Sequence, residues 1–346
     1  MIRLRKIAFP CVCIIVLLLS VWTSAALFYD LPVQPLRAPA ALLYLIFVSA
    51  AMLFFRRSYT GLVIAAVGFI IVALCWLSLT PSNDRNWRAD DLVTAYAEIA
   101  ANQITIHNVR NCQYRSETNY TCSWETRSYD LARLRGVDMF ITWWGSPWIA
   151  HPIASYDFGD QGHVAISIET RHVVGEEYSS VRGFFRQYML TYTVSDERDV
   201  IRLRTNYRKE EEVYLFRTTV KPEMARHIFV EYLERANSLH WHPEWYNALT
   251  NNCTTNIAVS AAEAQRRPVR FDWRVLLNGK MDEMMYERGT LRTGGLLLPA
   301  LKDQAHINAA AKAADDSSEF SKLIRQGRVG FKESTSISRS APAYGR

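Results

Sequence analysis

The sequence has no internal repeat, no stripe of lysine and arginine interleaved with aromatics, and no pair of histidines one helical turn apart. Without a basic stripe, nucleic acid is a poor partner, although the net charge is +6. That charge is spread along the chain and suits an anionic membrane surface better. Without tight ligand spacing, no structural or catalytic zinc is expected, and no other cofactor is implied. Cysteine is scarce, at six in 346 residues. Charge itself is missing from three long stretches.

Those stretches run from Ile7 to Phe28, from Ala38 to Phe55 and from Gly61 to Leu79. Apolar runs of roughly 18 to 22 residues cross a hydrocarbon layer of about 30 Å at about 1.5 Å per residue. A signal peptide is the competing reading of the first, because Arg3, Arg5 and Lys6 precede it and Ser24, Ala25 and Ala26 lie near its end. Two further spans follow at once, which favours an anchor. Basic residues set the orientation. Arg3, Arg5, Lys6, Arg56 and Arg57 flank one side, against Arg37, Arg85 and Arg88 on the other. The expected topology is a multi-pass bacterial inner-membrane protein with its N-terminus inside and its C-terminal domain in the periplasm.

Cysteine placement points the same way. Cys11, Cys13 and Cys75 fall in the spans, where a thiol is a small apolar group. Cys112 and Cys122 bracket the polar stretch CQYRSETNYTC, a hairpin or Ω-loop. A disulfide there requires an oxidising compartment. Cys253 is left as the odd thiol, and an unpaired cysteine in an exported domain needs a reason.

Beyond the spans the pattern is α+β. His151–Phe158 and His163–Thr170 alternate with period two across Gly159-Asp-Gln-Gly162, a hairpin signal. Val200–Leu203 and Glu212–Arg217 read as strands, and Ser179–Tyr192 as a helix. Leu131–Trp148 shows no clear period. Pro222 opens a helix to about Ser238, with Met224, Ile228, Phe229, Tyr232, Leu233 and Ala236 as its apolar stripe. A further helix spans Cys253–Ala264. The expected division is residues 1–80 as a three-helix anchor, 81–316 as one periplasmic domain, and 317–346 as a polar, disordered tail.

Asn251 or Asn252 is a favourable N-cap, which puts Cys253 at a helix start facing free N–H groups. That environment favours a thiolate and can hold an oxyanion. The plainer reading is a packed cysteine beginning a core helix. A thiol nucleophile needs a base, most often histidine. His240 and His242 lie near Cys253 in sequence but read as loop packing with tryptophans, and His227 as an ordinary helix residue. His151, Ile153 and Ser155 share one strand face. With a three-residue turn at Gly159–Gln161, positions summing to 320 face each other, so Glu169 is opposite His151. A turn one residue shorter or longer exposes Thr170 instead, and Glu169 equally suits a surface pair with Arg171.

The same residues carry a resemblance. PSNDRNW, IAHPIASYDF, ISIETRHVVGEEYSS, GFFRQYMLTY, DERDVIRLRTN and YNALTNNCTTNI together resemble the bacterial family named for the N-terminal periplasmic domain of Lnb, the lipoprotein N-acyltransferase. The likeness runs from about Pro81 to about Leu298. A histidine on a strand followed by a cysteine at a helix start is also similar to circularly permuted papain-like enzymes such as the lecithin–retinol acyltransferase group. The resemblance implies a permuted papain-like domain with a small antiparallel sheet and packed helices. Within it, Cys253 is the nucleophile, His151 the base and Glu169 the orienting group, with His163 the runner-up base. The chain departs from Lnb in placing three spans ahead of the domain and a polar tail behind it.

The reading is a membrane-anchored thiol acyltransferase acting through a cysteine thioester on acyl groups of membrane lipid or lipoprotein. A cysteine amidase or peptidase of the cell envelope is the alternative, and a non-catalytic envelope module the third.

Overall fold

The three uncharged stretches form helices α1 (Ile2–Asp30), α2 (Arg37–Phe54) and α3 (Thr60–Leu77) in the computed structural model, which describes residues 2–331 apart from 57, 267 and 269–271. Their apolar windows of 20, 21 and 18 residues are long enough to cross a bilayer. Lipid gives no hydrophobic drive between helices, so close packing needs small residues. Ala26, Ala41, Ala51 and Ala65 are buried between them, and a Cβ on Gly61 would meet the Ala51 carbonyl oxygen at 2.9 Å. The Ser20 and Thr23 hydroxyls donate to Val16 and Leu19 one turn back, and Ser24 donates across to Ala41. Leu17, Leu18, Leu43 and Ile71 point outward. Arg57 of the expected inner loop and residues 332–346 of the expected tail lie outside the described residues.

The chain divides into two units, one of Met1–Asp91, Thr170–Thr191 and Trp241–Asn252, the other of Leu92–Glu169, Tyr192–His240 and Cys253–Arg346. In the first, the two later segments bond to each other, Tyr246 N–H donating to Tyr188 and Ala248 N–H to Gly183. They also bond to the helix ends. Arg186 N–H and the Gln187 amide donate to the Asp30 carboxylate at 3.1 and 2.5 Å.

The second unit is built on an eight-stranded sheet ordered β1-β2-β7-β6-β5-β4-β8, with β3 pairing β2 off that path. The strands are β1 (Tyr96–Ala100), β2 (Gln103–Tyr114), β3 (Tyr120–Asp130), β4 (Gly136–Trp143), β5 (Ala150–Asp157), β6 (His163–Arg171), β7 (Met189–Ser195) and β8 (Glu212–Arg217). Around it lie α4 (Glu197–Arg202), α5 (Pro222–Trp241), α6 (Cys253–Ala264), α7 (Met281–Glu287), α8 (Leu298–Ala305), α9 (Asn308–Ala313) and α10 (Phe320–Leu323). The α+β class is as expected. The sheet is larger than the small one anticipated, and β2 pairs with β7 in parallel.

One apolar layer joins Phe140, Ile153 and Ala165 of the sheet to Val200, Ile201, Ile307, Phe320 and Ile324. In another, α5 sets Phe229 against Tyr156 and Phe158 at ring separations of 4.6 and 5.2 Å. The buried face of α5 runs through Ala225, Phe229, Tyr232, Leu233, Ala236 and Leu239, so Met224 and Ile228 of the expected stripe stand at its margin.

One stretch without a period is explained, and three expectations are corrected. Leu131–Trp148 lacked a period because it contains β4, which is buried on both faces and has no reason to alternate. The stretch read as a helix over Ser179–Tyr192 is a 3-10 turn at Arg182–Phe184 followed by β7, where Tyr192, Thr193 and Val194 fit a pleated, buried strand. Val200–Leu203 is not a strand. It lies in and just beyond α4, which Asp196 caps by accepting from Arg198 N–H. Finally, the polar segment packs over residues 317–331, contributing Phe320, Ile324 and the buried Arg325.

The β5–β6 hairpin pairs Asp157 with His163 and Ile153 with Ser167, the register in which positions sum to 320. Its turn is the three residues Gly159–Gln161, and φ of +66° at Gly159 and +85° at Gly162 explains both glycines. On the β2–β3 hairpin, Cys112 faces Cys122 and the two form a disulfide.

Candidate active site

At the end of the hairpin away from its turn, His151 of β5 meets Ser167 and Glu169 of β6. Period two puts Ser167 and Glu169 on one face, and the register brings that face to His151. The His151 Nε2 is 2.7 Å from Ser167 Oγ and 3.3 Å from Glu169 Oε1, and Ser167 donates to the same carboxylate at 2.6 Å. Because the serine proton points at Glu169, the serine oxygen accepts from Nε2–H. The imidazole is thereby oriented, leaving Nδ1 as the nitrogen for a second partner. Cys253 lies near enough to His151 to contribute to the raised pKa of the ring.

Glu169 has a cation behind it. α4 continues into a π-turn over Leu203–Tyr207, a form frequent at functional sites, and the turn carries Arg204. Its guanidinium donates to Glu169 and to Glu211, each at 3.0 Å, and is almost fully buried. Sequence reading missed both Arg204 and Ser167. Ser167 was accessible from the register, since it is opposite Ile153. Arg204 carries no local signal.

Cys253 is the first residue of α6, as expected, and its side chain is buried. Asn278, also missed from the sequence, lies beside it. The Asn278 amide nitrogen is 3.7 Å from the sulfur and donates to Thr254 Oγ1 at 2.9 Å, while its oxygen accepts from Ala150 N–H at 2.8 Å. Gly279 N–H donates to Trp148 O, and a Cβ on Gly279 would run into the Pro147 and Trp148 backbone. That close approach requires glycine and fixes Asn278 beside the residue preceding His151.

Burial by itself pushes the His151 pKa down, and the nearby Arg204 does the same. Attraction to Glu169 and hydrogen bonding with it, together with the nearby Cys253 side chain, outweigh both and raise it to about 9. Burial pushes Glu169 up, but His151 and Arg204 hold it well below the ordinary carboxylate value. At neutral pH the pair is therefore imidazolium and carboxylate.

His163 keeps different company. It lies at the turn end of the hairpin, 3.9 Å from Asp157. Nearby, Arg325 bridges Glu197 and Asp138 at 2.6 and 2.8 Å, Ser155 donates to Glu197, and Arg217 joins Asp138 to Asp157. Burial lowers the His163 pKa. His240 and His107 pack on the Tyr96 ring. Among the described residues no group of three potential metal ligands is gathered.

Residues 120–279 match the Lnb N-terminal periplasmic domain. The resemblance drawn from the sequence holds over this stretch, which contains His151, Ser167, Glu169, Arg204, Cys253 and Asn278. No curated protein and no solved structure matches the chain. The match to the Lnb N-terminal periplasmic domain and the three apolar helices ahead of it support an inner-membrane protein with a periplasmic domain.

Proposed function

We propose that this protein is a thiol acyltransferase of the periplasmic face, with Cys253 taking an acyl group from lipid or lipoprotein as a thioester. The observation that carries the reading is the hydrogen-bonded run from His151 to Ser167 and Glu169, backed by Arg204, with the buried Cys253 close to the ring and beside Asn278. A nucleophile, a base and an orienting group within reach of one another are what covalent acyl transfer needs. The order of a strand histidine followed by a helix-start cysteine supports a permuted papain-like relationship.

Cys253 attacks as thiolate at the acyl carbonyl carbon. A C–S bond forms, the C–O bond to the donor breaks, and the departing oxygen takes the His151 proton. The acceptor amine or hydroxyl then attacks the thioester, gives a proton to His151 and releases the sulfur. Glu169 holds the ring and stabilises its charged form, while the Asn278 amide donates to the oxyanion of each tetrahedral intermediate. Three crossings, with the N-terminus in the cytoplasm, belong to the same reading, as does a boundary between anchor and domain near residue 80.

Incubation of the full chain with a radiolabelled fatty-acyl donor tests this. Label on Cys253 that hydroxylamine releases is the expected result. No label, or label persisting in Cys253→Ser, defeats the proposal. Product analysis with phospholipid, lipoprotein and muropeptide separates transfer from amidase or peptidase action, in which water is the acceptor.

A further inference from the structure

The first unit has polar and aromatic bonds that tie two later segments to the outer ends of its helices. The Phe185 ring stacks on Tyr29 at 4.9 Å, and Gln187 donates to Tyr29 O at 2.9 Å. The Arg186 guanidinium lies 4.3 Å over Trp76 and donates to Leu79 O. Trp245 Nε1 donates to the same Leu79 carbonyl at 3.2 Å, and Trp76 donates to Asp30 at 2.6 Å. Residues 185–187 and 245 are therefore held at the level where the apolar windows of α1 and α3 end.

The polar layer on each side of the hydrocarbon is about 5–8 Å thick. Phe184 adjoins the docked Phe185, and Val181 and Leu249 each lie four residues from a docked ring, at Phe185 and Trp245. An unstrained chain covers at most about 3.6 Å per residue, so Phe184 falls within that layer and the other two lie no more than about 14 Å from the docked rings. These side chains are exposed: 39 % for Phe184, 55 % for Val181 and 52 % for Leu249. Val33 and Leu36, which must lie at the same surface because they join α1 to α2, are exposed as well. Trp76, Trp245 and Tyr29 add the amphipathic rings found at bilayer interfaces, with Arg186 as the cationic member.

We propose that segments 181–187 and 245–249 form a collar that enters the headgroup layer of the outer leaflet. Its occupant is the glycerophospholipid interface surrounding the helices. Phe184, Val181 and Leu249 face the acyl–glycerol boundary, and Arg186 holds the collar to the helix ends. The inference rests on the membrane anchor alone and not on the chemistry of Cys253.

Photocrosslinking in the full-length protein tests it, in nanodiscs of phosphatidylethanolamine and phosphatidylglycerol. Benzoylphenylalanine is placed singly at Val181, Phe184 or Leu249, with Leu77 at a span end and Glu117 on the exposed β2–β3 turn as references. The expected lipid-adduct yield at the collar positions approaches that at Leu77 and exceeds that at Glu117 about tenfold. Yields no higher than at Glu117, or adducts to another protein or to a second copy in place of lipid, overturn the proposal. Because the three positions lie on two separate segments, a misfolded variant at one does not silence the others. Brominated lipids give a second measurement on the unsubstituted chain. Strong quenching that weakens in Trp245→Phe is expected, and quenching unchanged by that substitution counts against the collar.

Discussion

His151 and Glu169 are held 3.3 Å apart on adjacent strands, with the Ser167 hydroxyl bonded to both. The hairpin register puts the pair together, and a buried guanidinium fixes the carboxylate from behind. The result is an imidazolium whose orientation and charge are set before any substrate arrives.

The charge on this pair is testable by pH. His151 holds its proton to about pH 9 in the folded chain, against an ordinary value of 6.5. Its contribution to stability is therefore fully present below pH 6.5 and is lost as pH rises through about 9. Glu169 has the opposite sign, contributing above its ordinary value of 4.5 and failing as pH falls through its depressed one. Glu169→Gln removes the attraction and should lower the His151 value by roughly one pH unit or more. NMR titration of the ring reads this directly, and an unchanged midpoint contradicts the assignment.

Arg204 is buried between Glu169 and Glu211. Arg204→Met keeps much of the volume but takes a cationic partner from each of Glu169 and Glu211, leaving them His151 and Arg208, at a cost of roughly 1.5–3 kcal/mol in unfolding free energy. Adding Glu211→Gln should recover part of that loss. Denaturant titration of the two variants checks the order, and equal stabilities would mean that the ion pairs contribute little.

Asn278 should act on the chemical step. In Asn278→Ala the rate of Cys253 acylation is expected to fall on the order of 100-fold with little change in KM, the pattern for a lost oxyanion donor. Gly279→Ala should produce a similar defect by displacing the Asn278 loop, and should also lower stability. A rise in KM alone for Asn278→Ala argues for substrate binding in place of transition-state stabilisation.

The Cys112–Cys122 disulfide closes a short hairpin. Replacing both residues by Ala is expected to cost about 3 kcal/mol, from the loop-closure entropy restored to the unfolded chain. The site residues lie on other strands and helices, so acylation by the folded fraction should persist. Thermal unfolding with and without reductant measures the effect in the unsubstituted chain.

Much of this protein was legible because its signals are local. A span needs only length and freedom from charge. Alternation and a turn of two to four residues limited the β5–β6 register to a few choices, and the three-residue turn selects the one that brings Glu169 to His151. Cys253 at a helix start came from its neighbours in sequence. Signals failed where burial erased them, as in β4, whose two buried faces leave no period.

The sequence by itself determined the three apolar helices, the α+β class and the cysteine pairing, and it narrowed the residue facing His151 to Glu169 or Thr170. Only the tertiary structure decided what surrounds them. Arg204 reaches Glu169 from 35 residues away, and Asn278 reaches Cys253 from 25, so no local pattern announces either. His151 and His163 stand on the same strand ladder, and their different charge states come from neighbours supplied by distant parts of the chain. Burial and Coulomb attraction act through space, and only the folded chain sets those distances.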